Sequence, residues 1–286
     1  MIISRIWKSC GWACDGSSKM KKRQQDELMK SIKRGFSTNQ PDSGWDCYTI
    51  TLDPESAKYK YFRRNNSHLE IETFPGIDGK LFSKDELVNC GLASKELVRT
   101  TLLNPGRAGC ALSHRELWKK IATRKRGALI LEDDCITHPQ IKTILSKMLK
   151  ILMRTDITHL CINTDSILAK VSPEGLYSVS LFDPKYPTEQ WIKETLKKTD
   201  LTKPALHRFL NGFGCCAYFL SPKGGKVLEQ KVFPLSLRTT RIPLVTEKMP
   251  AIGMDRAANA IYREIESYIF QPFLAYTPNI NSTTSV

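Results

Sequence analysis

Four apolar residues running into three acids, Ala128-Leu129-Ile130-Leu131-Glu132-Asp133-Asp134, constrain this chain more than any other stretch. The apolar run is too short for an ordinary helix and reads as a buried strand. Three carboxylates at the end of such a strand repel one another, and a bound cation relieves that repulsion. In extended backbone Glu132 and Asp134 fall on the same side. Two hard oxygen ligands on one side suit Mg²⁺ or Mn²⁺ holding a diphosphate. A solvated acidic turn that closes the strand is the alternative, because short acidic motifs recur widely.

The flanking pattern places this strand in a layered domain. A strand is expected over 46–52, with Asp53-Pro54-Glu55-Ser56 starting a helix after it. A second strand is expected over 68–74, closed by the turn Gly76-Ile77-Asp78-Gly79. Pro105-Gly106 precedes a helix over 108–124, on which Leu112, Leu117, Trp118 and Ile121 follow the helical period. Beyond the acids come a helix over 140–153 and a buried strand over 159–163. Residues 165–210 read as an irregular, Pro- and Lys-bearing insertion facing a substrate. A strand over 214–220 leads into a helix that Ser221-Pro222 starts strongly. A last helix is expected over 254–264, then a polar tail from 271. Strands alternating with helices predict an α/β fold: a mostly parallel central sheet with helices on both faces.

Composition bounds the partners. The 286 residues suffice for a sizeable core, and 41% hydrophobic with 25% charged residues is ordinary for a globular chain. The net charge of +14 favours polyanionic partners: nucleic acid, an anionic membrane face or phosphorylated substrates. No zinc-finger, RRM-like or P-loop pattern supports nucleic acid, which is not expected as a partner. The cysteines number nine, an odd count, and several sit in apolar runs such as Leu160-Cys161-Ile162, which suggests reduced thiols and a reducing compartment. No apolar stretch approaches the roughly 20 residues that span a bilayer. The opening residues are too short and interrupted for a signal-peptide core. The expectation is a cytoplasmic protein. Residues 1–44 form a basic N-terminal extension ahead of a domain over 45–286. A solvated leader is its plainer reading, and a peripheral tether to an anionic membrane, helped by Ile2, Ile3, Ile6, Trp7 and Trp12, is its sharper one.

Taken in order, several segments resemble glycosyltransferase family 25, which includes lipooligosaccharide and collagen galactosyltransferases. They are Ile50-Thr51-Leu52-Asp53, Gly76-Ile77-Asp78-Gly79, Gly109-Cys110-Ala111-Leu112-Ser113-His114, Leu129 through Asp134, and Ala217 through Gly225. The spacing of Gly-Cys-x-x-Ser-His to the acidic strand is the most specific of these. Thr51 departs from the family's usual Asn, Arg107 from a common acid, and the family's basic residue after the first strand could be Lys58 or Lys60.

The resemblance implies a nucleotide-sugar-binding fold of the GT-A type and an inverting transfer of a hexose. Galactose from UDP-galactose is the leading donor and glucose the rival; the acceptor would be a glycan on lipid or protein. Asp134 and Glu132 would hold Mn²⁺ or Mg²⁺ with the diphosphate, and Asp133 would assist. Asp78, Ser113 and His114 would contact substrate. The family's late acid could be Asp255, as general base or as a plain helix cap. Asp165 and the Lys and Arg residues over 185–208 are further candidates, each with a solvated loop as the alternative. A phosphohydrolase using the same acids and a non-catalytic basic binding protein are the competing readings.

Overall fold

A computed structural model describes residues 44–172, 175–182, 185–241 and 248–279. The basic extension and residues 280–286 of the expected tail lie outside the described residues. The strands are β1 Asp46–Thr51, β2 Glu72–Pro75, β3 Ala128–Glu132, β4 Ile136–Thr137, β5 Ile157–His159, β6 Ile167–Val171, β7 Tyr177–Leu181, β8 Ala205–Gly212, β9 Ala217–Leu220, β10 Thr239–Arg241, β11 Lys248–Pro250, β12 Ser267–Gln271 and β13 Ala275–Tyr276. The helices are α1 Ala57–Asn65, α2 Lys84–Asn89, α3 Lys95–Val98, α4 Pro105–Ala122, α5 Ile141–Leu152, α6 Glu189–Lys198, α7 Pro222–Val232 and α8 Met254–Asn259.

Local chemistry explains where the main helices start. Ser56 Oγ accepts from Tyr59 N–H ahead of α1, and Asn104 from Arg107 N–H ahead of α4, whose first residue is Pro105. Ser221 caps α7 in the same way. Each side chain satisfies a donor that the first helical turn leaves free.

Nine strands form one sheet in the order β2-β1-β3-β9-β5-β12-β8-β6-β7. β1 runs parallel to β2 and β3, and β5 to β12. The other neighbours are antiparallel. The sheet is therefore mixed, and the expectation of a mostly parallel one holds only for those two blocks. The cause is β9, which runs against both β3 and β5, and the β8-β6-β7 edge, where β6 and β7 form a hairpin and β8, reached through α6, pairs antiparallel to β6. Residues 165–210, expected as irregular, supply β6, β7, α6 and most of β8. The expected last helix stops at Asn259, and the tail begins with β13 paired to β4.

Helices do cover both faces. Ala128 and Ile130 of β3 face a core shared with Leu112, Leu117 and Trp118 of α4 and Leu228 of α7. Leu129 and Leu131 face the opposite core, with Tyr59 and Phe62 of α1 and Ile141 and Leu145 of α5. The strand alternation thus serves two buried layers. Because β1, β2, β3 and β5 all point one way, their C-terminal ends meet at one edge. The start of β9 lies there too, where Glu132 N–H donates to Cys216 C=O at 2.9 Å.

The turn after β2 sits directly on α4. A Cβ at Gly79 would lie 2.0 Å from Pro105 C=O, and one at Gly109 would lie 2.4 Å from Ile77 C=O. Backbone against backbone cannot give way. The substitution Gly109→Ala should destabilise the fold by about 1–3 kcal/mol, as overpacking does. Urea denaturation would read it, and an unchanged midpoint would refute the close seating of this turn.

Candidate active site

The acids are held by their surroundings before any ligand is considered. Cys135 N–H donates to Glu132 C=O at 3.2 Å and closes the turn after β3. Buried Asn66, at the end of α1, clamps the backbone from Cys135 to Thr137. Its Nδ2 donates to Cys135 C=O at 2.8 Å and Phe62 C=O at 2.9 Å. Its Oδ1 accepts from Thr137 N–H at 2.9 Å and from Thr137 Oγ1 at 2.6 Å. The backbone of the acidic turn is thereby fixed by neutral hydrogen bonds.

The three side chains then diverge in character. Asp133 accepts from Thr51 Oγ1 at 2.6 Å and pairs with Lys58 Nζ at 2.7 Å. Lys58 Nζ also approaches Asp134 at 3.9 Å. Asp134 is largely buried, accepts from Thr277, and keeps Oδ1 buried with no hydrogen-bond partner. Its pKa is raised to about 7, first by burial and then by the charge of Glu132; Asp133 adds to this, while Lys58 and Thr277 oppose it. Burial works to lower the pKa of Lys58, but Asp134, Asp133 and Glu132 together raise it. An all-carboxylate set with one orphaned, buried oxygen could hold a hard divalent cation. β3 ends at Glu132 and Asp133-Asp134 form a turn, so Glu132 and Asp134 do not lie on one side of an extended strand as expected. Glu132 lies toward α4 and Asp134 toward Lys58, although the charge of Glu132 still acts on Asp134.

Glu132 faces the helix side. His114 Nε2 lies 3.6 Å from Glu132 Oε1, and Cys110, one turn earlier on α4, brings its sulfur within 4.8 Å of both. Asp255 reaches the same neighbourhood. The thiols of Cys110 and Cys215 are pushed well up, chiefly by burial, with both Glu132 and Asp255 adding to the effect. Asp255 Oδ1 accepts from Arg256 N–H at 2.7 Å and Oδ2 from Gly214 N–H at 3.3 Å, next to the start of α8.

Other expected residues take structural positions. Ser113 is buried; its hydroxyl accepts from Ile77 N–H at 2.8 Å and donates to Gly109 C=O at 2.7 Å, pinning the turn to α4. Asp78 accepts from Lys80 N–H at 2.9 Å as the cap of a short 3₁₀ turn. Asp165 bonds the hydroxyl of Tyr186, which also meets Asn279 and feels the charge of Asp134. Lys60 pairs with exposed Glu55, so of the two basic candidates Lys58 is the one at the acids. In the 185–208 stretch, Lys193 pairs with Glu189 and Arg208 donates to Ser267 C=O. Cys161, just after β5, and Cys216, just before β9, form a disulfide, against the expectation of reduced thiols, while Cys47, Cys110, Cys135 and Cys215 are not disulfide-bonded. Among the described residues no helix is long and apolar enough to cross a membrane.

The three acids, the buried His114 and the carboxylate of Asp255 thus gather at one edge of the sheet, and sequence comparison identifies the class. The sequence pattern of glycosyltransferase family 25 (LPS biosynthesis protein) matches residues 46–239. The chain belongs to that family. It is 29% identical over 109 residues to a glycosyltransferase 25 family member of Aedes aegypti, covering 36% of this chain and 18% of that protein. It is 49% identical over 51 residues to a protein named as a glycosyltransferase, R655, of Acanthamoeba polyphaga mimivirus, covering 17% of this chain and 16% of that one. The chain thus spans under a fifth of the length of these curated relatives. Asp255 lies beyond the family match, so its place at the site rests on geometry alone.

The raised pKa of Asp134 has a thermodynamic consequence. Between its ordinary value of 3.8 and about 7, the folded protein keeps a proton that the unfolded chain gives up. In metal-free buffer, the contribution of Asp134 to stability should therefore be full below pH 4 and fall as pH rises to 7, with a slope of at most about 1.4 kcal/mol per pH unit. Urea titrations of the wild type and Asp134→Asn at pH 4 to 8 isolate it. Parallel pH profiles for the two proteins would rule it out.

Proposed function

We propose that this chain is a metal-dependent, inverting glycosyltransferase of the GT-A type. It moves a hexose, galactose from UDP-galactose, onto a hydroxyl of a glycan carried by lipid or protein. The observation that carries the reading is the crowded acidic turn after β3: three carboxylates, one with a buried oxygen left unpaired and a pKa raised to about 7. The family's description as an LPS biosynthesis protein supports a lipid-linked acceptor. A cytoplasmic location and a peripheral membrane contact through residues 1–44 belong to the same proposal.

Asp134 and Glu132 would hold Mn²⁺ or Mg²⁺, with Asp133 supporting from beside Lys58. The ion would supply a Lewis acid that neutralises charge on the departing diphosphate. Lys58 already faces the acids and adds a positive charge where the phosphates would lie. Asp255, whose two carboxyl oxygens accept from the backbone N–H groups of Gly214 and Arg256, would accept the proton of the acceptor hydroxyl. The acceptor oxygen then attacks the anomeric carbon as its bond to the diphosphate oxygen breaks. One displacement inverts the configuration and leaves no sugar on the enzyme.

Two variants separate the roles. Asp134→Ala should cut transfer on the order of a thousandfold or more, equivalent to several kcal/mol, while the fold survives. Asp255→Asn should lower kcat roughly 10²–10⁴-fold yet leave donor binding intact. Thermal unfolding with UDP-galactose, UDP-glucose and UDP, each with and without Mn²⁺, reads binding directly, because a ligand of the native state raises the midpoint. A larger shift with UDP-glucose would reassign the donor. No shift with any nucleotide sugar would overturn the proposal.

A further inference from the structure

The most specific sequence motif, Gly-Cys-x-x-Ser-His, places His114 against Glu132, and the hydrogen bonds behind that contact have a direction. Trp118 Nε1, one turn beyond His114 on α4, lies 2.8 Å from the hydroxyl of Tyr218 on β9. Indole N–H only donates, so the Tyr218 oxygen accepts. The same hydroxyl lies 2.7 Å from His114 Nδ1. All three side chains are buried. Tyr218 must place its proton somewhere, and His114 Nδ1 is the acceptor within reach. That leaves the ring proton on Nε2, aimed at Glu132 Oε1 3.6 Å away. The other arrangements, with Nδ1 protonated or the ring doubly protonated, leave the buried O–H of Tyr218 facing a donor.

We infer that Trp118, Tyr218 and His114 form a one-way hydrogen-bond chain that fixes the proton on His114 Nε2 and orients Glu132. His114 is thus a positioning residue, neither a metal ligand nor a base. The 3.6 Å separation is an electrostatic contact that a small movement closes into a hydrogen bond. One oxygen of Glu132 is biased toward the helix, which frees the other for the cation. This role rests on the proposed transferase reading, but the proton's location does not. It also decides the fate of the Cys110–His114–Glu132 cluster. A metal there would need an unprotonated Nε2, which the chain denies it.

The full chain labelled with ¹⁵N in its histidine rings tests this. The protein has five histidines, and His114→Gln identifies the signal of His114 by its loss. The wild type should show Nε2 protonated and Nδ1 as a bare acceptor, and Tyr218→Phe should release the ring into a mixture of tautomers. A wild-type ring with Nδ1 protonated and Nε2 bare would overturn the inference. So would a cobalt–thiolate absorption band on adding Co²⁺ that Cys110→Ser removes. Mn²⁺ affinity supplies a second readout. His114→Ala should weaken it on the order of 10- to 100-fold, whereas His114→Gln, which can present an amide N–H where Nε2 stood, should restore most of it. Equal losses in the two variants would refute the positioning role. Tautomer and affinity are both read without turnover. If no nucleotide sugar is consumed, the transferase reading fails while the chain is still decided.

Discussion

Mutual repulsion among Glu132, Asp133 and Asp134 sets the terms for everything around the end of β3. A turn carrying three adjacent carboxylates, one of them buried, would move apart if charge alone positioned it. Here its backbone is held by Asn66, which commits all its amide capacity to Phe62, Cys135 and Thr137. Neutral hydrogen bonds keep their geometry whether the acids are protonated, paired or bound to a cation. The carboxylates are therefore free to change partners without moving the strand.

The mixed sheet serves the same end. A wholly parallel sheet would bring only strand C-termini to this edge. Reversing β9 between β3 and β5 brings its start there instead. Gly214 and Cys216 then bond Asp255 and Glu132 from the opposite side of the acidic strand. The acids lie outside the carboxyl end of β3, on the edge of the sheet where open α/β folds place their ligands. The site draws on α1, α4 and α8, elements far apart in sequence. Asn163 and Gly214 pack so closely that a Cβ at Gly214, whose φ is +85°, would lie 1.9 Å from Asn163 Oδ1. This contact ties the segment after β5 to the one before β9.

How much of the fold the sequence reveals depends on the range of the forces involved. β3, α4 and the start of α7 were legible because short-range signals define them: an apolar run, a helical period, and caps at Asn104 and Ser221. The β6–β8 region was not legible. Leu176, Tyr177 and Leu181 face solvent there, which hides the alternation of β7, and the β6-β7 hairpin joins the sheet only through β8, which pairs with β12 more than 50 residues away. At the site, the acids and His114 carry motif signals, and Lys58 was one of two basic candidates. Asn66, Tyr218 and Trp118 gave no functional signal, since a buried amide and two core aromatics read as packing until their polar atoms are placed. Ser113 shows the converse. Its motif pointed toward substrate, whereas its hydroxyl is committed to Ile77 and Gly109.

The two flanks of the acidic strand divide the electrostatic work. On the β1 side, Asp133 and Asp134 meet Lys58, a flexible ammonium with a partly exposed side chain. Such a group can turn from carboxylate to phosphate as a charged substrate arrives. On the α4 side, Glu132 meets buried His114, backed by Tyr218 and Trp118, none of which can move without breaking a buried hydrogen bond. One flank adapts its charge and the other holds its direction. A transferase of the proposed kind would need both, because a wholly rigid ionic cage would hold its diphosphate product as firmly as its substrate.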